Sequence, residues 1–474
     1  MAIVTSSFRV SAASGFASTF ATDNIYVVLG RPQPWDNALS TNFTNQGVGT
    51  VSDNNPPNPI DNWQNGSAFW RDAMAAAKIN YSNTNLVIPR VNWQYGLQYD
   101  MYSHDISNSN PTQSNAYDLD DSNFIVYVTS TGAVYKCLWN GRNGATSAIA
   151  STVMPTTTSA VPQQTLDGYI WKYLYTITSA QADFVTSSYI PVISYATSIS
   201  NISGLDVIYL TNNGSSYTTI PQVTIYGDGI GATAYAVTSA GSITQIKVSS
   251  SGIGYTWAKI EITGGGTPTT ANAIAVIAPA GGHGSNMVYE TCAHNVMISG
   301  TIAGYYNSEF PVNQDFRTVG LVKNPNAYST SYVTSVGTNY TNTTGRILRT
   351  LQMTSSATTA PANDILLVGS NSGAFGLMAF QSSGTVNLQY IQPVNSDVPA
   401  NISDSYINPS TGQLKQFVNS ESITGTAYSQ FVSSVTAITP EIQPYSGQIL
   451  YYDYRQPVTR SASQNEKINI VINF

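Results

Sequence analysis

Charge is what this sequence has least of. Only 9% of its 474 residues are Asp, Glu, Lys or Arg, against roughly 25% in ordinary soluble domains, so Ser, Thr, Asn and Gln must make the surface polar without making it ionic. With 18 Lys and Arg against 25 Asp and Glu, the formal charge is -7. Such a balance offers phosphates no cationic surface, which makes nucleic acid and anionic membranes poor partners. Histidine is confined to His104, His283 and His294, which limits metal sites and general-base arrangements. The two cysteines, Cys137 and Cys292, lie far apart and in no CxxC or Cys/His ligand spacing, and read as buried free thiols. No apolar run approaches the ~20 residues of a membrane span, and the opening MAIVTSSFRV lacks the basic and apolar segments of a signal peptide. A chain made and folded in a cytoplasm is expected. The sequons Asn42-Phe43-Thr44 and Asn339-Tyr340-Thr341 then carry no glycosylation meaning.

What is present favours strands. The chain has 42% hydrophobic residues with 31 Tyr, 36 Gly and 22 Pro, a mixture that suits β-structure and turns over helices, and its length predicts two to four domains. The fold class expected is mainly β, a multi-domain β-sandwich type with small inserted β modules and very little helix. Asn24 to Leu29 (NIYVVL) reads as a buried strand stopped by Gly30-Arg31-Pro32, and Phe124 to Val128 (FIVYV) and Tyr169 to Ile177 (YIWKYLYTI) as two more. Only Ser67 to Lys78 looks helical, with Ser67 as cap and Phe69, Trp70, Ala73, Met74 and Ala77 at helical spacing. At the far end Ile468, Ile470, Ile472 and Phe474 alternate with Lys467, Asn469, Val471 and Asn473, which predicts a strand tied into a sheet.

Two stretches differ in texture. From Gly204 to Gly282 the chain repeats itself: Ile208 to Thr218 (IYLTNNGSSYT) answers Ile246 to Thr256 (IKVSSSGIGYT), so Gly214 matches Gly252 and Tyr255 follows Tyr217 by 38 residues. Val223 to Gly227 answers Ile260 to Gly264, and Gly231 to Val237 answers Ala271 to Ile277. Two units are too few for a solenoid and predict a compact module packed on itself. From Asn326 to Pro440 the chain is Ser/Thr-rich and nearly uncharged, with strands expected at Asp364 to Val368 and Val386 to Ile391 around a turn at Ser372-Gly373-Ala374.

A search for chemistry leaves little. His104, beside Asp105 and near Asp100, sits in the polar loop MYSHDISNSN and reads as solvated. His283 in Gly281-Gly282-His283-Gly284 has no GxSxG partner and reads as a hinge closing the repeat module. Asp118, Asp120 and Asp121 resemble a calcium loop, but Asn123 and Thr129 stand where Gly and Glu would be needed, so an acidic turn is expected. Gly227-Asp228-Gly229-Ile230-Gly231-Ala232 matches a nucleotide fingerprint in letters only, because no crossover helix follows. No pair among the 25 acids singles itself out for glycoside cleavage. The expectation is no catalytic residue, no cofactor and no metal, hence no enzyme.

Several collinear blocks resemble one family, the baseplate wedge subunits (gene-eight products) of T4-like contractile-tailed phages. They are Ala2 to Arg9, Asn24 to Trp35, Leu86 to Trp93, Val134 to Leu138, Asp167 to Leu174, Gln314 to Pro325, Ser446 to Pro457 and Glu466 to Phe474. The resemblance implies a β-sandwich-rich homodimer in the virion tail baseplate, assembled in the host cytoplasm. It would bind other wedge proteins and involve no nucleic acid, membrane or small-molecule substrate. On that reading residues 1–203, 283–325 and 441–474 form the core, and 204–282 and 326–440 are inserted modules. The alternative is a carbohydrate-binding or carbohydrate-cleaving tail fibre or spike, since Tyr- and Asn-rich β-surfaces suit sugars. A secreted adhesin is opposed by the opening sequence.

Overall fold

A computed structural model describes residues 4–32, 34–35, 51–109, 111–116, 118–119, 121–141, 149–159, 161–193, 204–279, 281–302, 315–329, 337–347, 350–355, 365–381, 388–393, 410, 415–461 and 464–474. The chain is mainly β, as its composition predicts, and its sheets are antiparallel. It divides into two compact units, Met1–Ala17 with Thr84–Ile298 and Ile470–Phe474, and Ser18–Asn83 with Ser299–Asn469.

The first unit holds the largest core. Strands Ile125–Val128, Ala133–Asn140, Tyr169–Thr176 and Gln163–Gln164 form a sheet in that order. In it Cys137 faces Trp171 and Lys136 faces Lys172. Their β-branched and aromatic residues are buried on both faces, with the rings of Tyr169 and Trp171 stacked at 5.3 Å. In this unit residues 295–298 pair with residues 84–87, and residues 87–89 with Tyr189–Pro191. Both cysteines are free and buried.

The repeated stretch forms strands Leu205–Asn212, Gln222–Gly227 and Ile230–Ser239 from one unit and Ser242–Ile253, Ala258–Thr263 and Asn272–Ile277 from the other. Ile208 pairs antiparallel with Ile246, and Thr224 with Glu261. Each is the other's equivalent in the repeat, so a local twofold axis passes through both sheets. Gly214 and Gly252 take φ of 61° and 67°, and a Cβ on either would lie 2.8 Å from the ring of Tyr217 or Tyr255. Those tyrosines complete the motif: Tyr217 Oη accepts from Ala271 N at 2.8 Å and Tyr255 Oη from Ala232 N at 3.3 Å.

In the second unit a five-stranded sheet runs Thr344–Arg346, Ala73–Ile79, Ile25–Gly30, Asp315–Lys323, Gln448–Thr459. A closed barrel follows in the order Thr350–Ser355, Leu388–Pro393, Phe375–Gln381, Leu366–Gly369, Glu421–Gly425, Tyr428–Ile438. The turn at Ser372-Gly373-Ala374 joins Leu366–Gly369 to Phe375–Gln381, a strand that the sequence reading did not assign. Asp364, Val386 and Asn387 of the expected strands lie outside the described residues. Glu421, 1% exposed, closes this turn by accepting from Asn371 N, Ser372 N and Val418 N.

The helix expectation needs correction twice. The helix near residue 70 is Trp63–Asp72, capped by the Asn62 side chain on Asn65 N and not by Ser67. Ala73–Ile79, read as its second half, is a strand paired on both sides, with Ala76 facing Val28 and Gly345. Tertiary pairing overrides alanine's helix propensity there. A longer helix, Ser6–Thr19, was not expected at all. Its buried face is Val10, Ala13 and Ala17, a stripe too short in side chain to mark an amphipathic pattern.

Candidate functional site

The most unusual chemistry lies within the first unit, where two lysines face each other in the middle of buried strands. Lys136 and Lys172 are cross-strand neighbours, 0% and 2% exposed, and like charges placed opposite each other repel. Carboxylates answer them. Glu290, from the short helix Met287–Glu290, puts Oε1 3.1 Å from Lys136 Nζ. The ammonium also sits over the Tyr102 ring, 3.6 Å from its centroid. Burial pulls the Lys172 ammonium below its usual value, with Glu290 and Asp206 opposing.

His283 joins the two acids. Its Nδ1 lies 2.5 Å from Glu290 Oε1 and its Nε2 2.7 Å from Asp206 Oδ2, on the first strand of the repeat. Gly284 N donates to Glu290 Oε2 at 2.6 Å. Burial would lift the Glu290 carboxyl, but the Lys136 charge, the His283 contact and the Gly284 amide bring it down to about 2. For His283, burial lowers its value and Lys136 does likewise, yet Asp206 and Glu290 prevail and the imidazole is raised above 6.5. His283 therefore does more than turn the chain: the flanking Gly281, Gly282 and Gly284 do that, at φ from 82° to 84°, while the imidazole is 4% exposed.

Lys172, Asp206 and His283 reach the wall of a cleft of about 760 Å³ shared by the Tyr169–Thr176 sheet and the repeat module. Trp139 and Tyr209 also line it, with ring centroids 5.9 Å apart. The remaining residues singled out in the sequence are dispersed. His104 is exposed and its Nδ1 accepts from Ile277 N at 3.3 Å. His294 Nε2 meets Arg9 Nη2 at 2.6 Å while its Nδ1 meets Cys292 O at 2.8 Å. Asp118 and Asp121 are exposed, and Asp120 lies outside the described residues, as does Asn42. Asp100 holds that acidic loop, accepting from Ser114 N and Asn123 N. Gly227 and Gly229 serve the repeat module, each close against the Tyr255 ring. Among the described residues no group of three or more His, Cys, Asp or Glu is arranged to hold a metal ion, and no helix is long and apolar enough to cross a membrane.

In the second unit the Gly-Arg-x-x-Pro-Trp block forms a clasp. Arg317, 2% exposed, grips Asp53 with Nε and Nη2, each at 2.8 Å, and donates Nη1 to Pro32 O at 2.6 Å. Asp53 Oδ1 also accepts from Trp35 N at 2.7 Å, and Trp35 Nε1 donates to Arg455 O. Arg31 lies 3.9 Å over the Trp35 ring and pairs with Asp72 at 2.8 Å. These cations are spent inside the unit. The surface instead shows uncharged apolar side chains, including Leu166 and Val161 on one hairpin and Ile230 beside Ile253 on the repeat module.

Among known proteins the chain is similar to the baseplate wedge protein gp8 of Enterobacteria phage T4, 28% identical over an alignment of 197 positions that covers 37% of this chain. The match takes in 55% of that protein, so the chain spans about half the length of this relative. No family model matches the chain.

Proposed function

We propose that this protein is a wedge subunit of a contractile-tail baseplate, a homodimer that holds neighbouring wedge proteins together through broad, weakly charged β-surfaces. It acts in the virion after assembly in the host cytoplasm. It turns over no substrate, needs no metal or cofactor, and binds neither nucleic acid nor membrane. Residues 204–282 and 326–440 are modules inserted into the wedge-like core.

The observation that supports this reading most is where the family-like blocks fall. Asn24 to Trp35, Gln314 to Pro325 and Ser446 to Pro457 are each separated by more than a hundred residues but supply three adjacent strands, with Val28 facing Gly320 and Gly320 facing Tyr452. Val134 to Leu138 and Asp167 to Leu174 likewise supply one strand pair. Scattered similarity that converges on shared sheets is what a common scaffold produces. Exposed ion pairs contribute only ~0 to 1 kcal/mol each, so contacts of such a protein must rest on area, with aromatic and aliphatic anchors.

Cross-linking of intact virions tests the proposal. Links confined to baseplate proteins support it, whereas links at fibre tips favour the carbohydrate-binding alternative. Sedimentation of the purified protein with its wedge neighbours should show complexes that survive about 0.5 M salt, where charge is screened beyond a few ångströms.

A further inference from the structure

The buried group around Glu290 is arranged as more than an ion pair. Lys136 Nζ and Glu290 Oε1 lie 3.1 Å apart with side-chain exposures of 0% and 1%, so the nucleophile and the carboxyl meet in the absence of solvent. The same Oε1 is met by His283 Nδ1 at 2.5 Å, and the far nitrogen of that ring is fixed by Asp206 at 2.7 Å. The other oxygen, Oε2, is held by the Gly284 amide at 2.6 Å. We propose that Lys136 and Glu290 condense into an intramolecular isopeptide bond, with His283 carrying protons to the departing oxygen, Gly284 N–H stabilising the oxyanion, and Asp206 as a positioning residue.

The atoms balance without any co-reactant. The pair holds an ammonium with three hydrogens and a carboxylate with two oxygens. One proton moves from Nζ directly to Oε1, the atom it meets at 3.1 Å, which frees the nitrogen lone pair to attack Cδ. The tetrahedral centre that forms bears its negative charge on Oε2, against the Gly284 amide, as an oxyanion donor requires. His283 Nδ1 then gives a proton to Oε1 at 2.5 Å, the ring recovers one from the newly bonded nitrogen, the Cδ–Oε1 bond breaks, and Oε1 leaves as water. A neutral secondary amide remains, with one hydrogen on nitrogen, and charge is conserved throughout.

Two physical terms drive the step forward. Holding the groups together replaces a bimolecular encounter by a local concentration on the order of 10⁵ to 10⁸ M. Keeping two ions out of water is costly even when they are paired, and the amide removes both charges at once. The cleft beside His283 and Asp206 gives the released water an exit. The ordinary alternative is a static salt bridge, and it predicts an intact chain mass.

Denaturing mass spectrometry of the full-length protein separates the two. The expected result is a chain lighter than its sequence by one water, and a protease digest containing a branched peptide that joins the Lys136 segment to the Glu290 segment, with no tryptic cleavage after Lys136. Lys136→Arg and Glu290→Leu should each abolish the branch. His283→Gln, compared at equal circular dichroism, should slow linkage in freshly made protein on the order of 100-fold, the scale of a lost proton-transfer catalyst. An unlinked mass with both peptides recovered unbranched, after prolonged incubation at neutral pH, overturns the proposal. Linkage at the wild-type rate in His283→Gln overturns the role given to His283.

Discussion

Replacing Asp53 by Ala tests whether the arginine clasp of the second unit is held by its carboxylate. The change removes both acceptors of the Arg317 fork and the acceptor of Trp35 N, leaving a guanidinium 2% exposed with Pro32 O and Asp315, at 3.0 Å, as partners. Breaking a buried pair from one side costs about 3 to 5 kcal/mol. Asp53 is 32% exposed and Asp315 stays on the cation, which places Asp53→Ala at or just below the lower end, about 2 to 3 kcal/mol. Asp453→Ala is the control. Its partner Arg455 is 57% exposed at 3.3 Å, so its loss should cost less than about 1 kcal/mol. Urea unfolding followed by tryptophan fluorescence reports the transition, since Trp35 sits in the clasp. Burial would raise the Asp53 carboxyl, but the Arg317 hydrogen bonds win and hold it below 3.8. A depressed folded pKa stabilises above the unfolded value and is lost as pH falls through the folded one, so mutant and wild type should converge in acid. If Asp53→Ala shifts the midpoint no more than Asp453→Ala, the carbonyl and Asp315 alone satisfy Arg317 and the reasoning is wrong.

Three further outcomes are expected. Because the folded His283 imidazole is raised above 6.5, its contribution is full below that pH and fades as pH rises through the folded value; melting temperatures from pH 6 to 9 should fall more for wild type than for His283→Gln. Tyr217→Phe orphans the buried Ala271 amide and should cost about 1 to 3 kcal/mol, more than Tyr255→Phe, whose bond to the partly buried Ala232 amide is longer; equal losses in denaturant melts would contradict the geometry. Asp167 accepts from the Thr165 hydroxyl, Val153 N and Thr152 N, and these bonds outweigh burial and keep its carboxyl below 3.8; Asp167→Ala should lose about 2 kcal/mol at neutral pH, a deficit that shrinks in acid.

The segments legible in the sequence were those whose composition and partners agree. Phe124 to Val128 and Tyr169 to Ile177 are aromatic and β-branched, and both became strands within a residue or so of their expected ends. The repeat was legible because its Gly and Tyr recur, and the same residues build both halves. Ala73–Ile79 was not, because its strand identity comes from Ile25–Gly30 and Thr344–Arg346, far away in sequence. The buried ion group escaped for the same reason: Lys136 and Glu290 are 154 positions apart. One signal was present. Lys136 in VYKCL and Lys172 in YIWKYL each interrupt a strand that is otherwise apolar and aromatic, and a lysine placed there must find a carboxylate.

The order of strands in the sheet that holds Glu466–Asn473 bears on synthesis. Thr84–Pro89 and Asn295–Ile302 leave the ribosome well before Glu466–Asn473, the edge strand beside Asn295–Ile302. Until that last strand is made, the nascent chain presents an uncovered row of amides and carbonyls, which is a template for unwanted pairing. Arg9 waits as well, since its Nε donates to Phe474 O and Phe16 packs on the Phe474 ring. Chains cut short by premature termination would thus keep an open sheet edge and a loose first helix, and be open to proteolysis before they could be built into a particle.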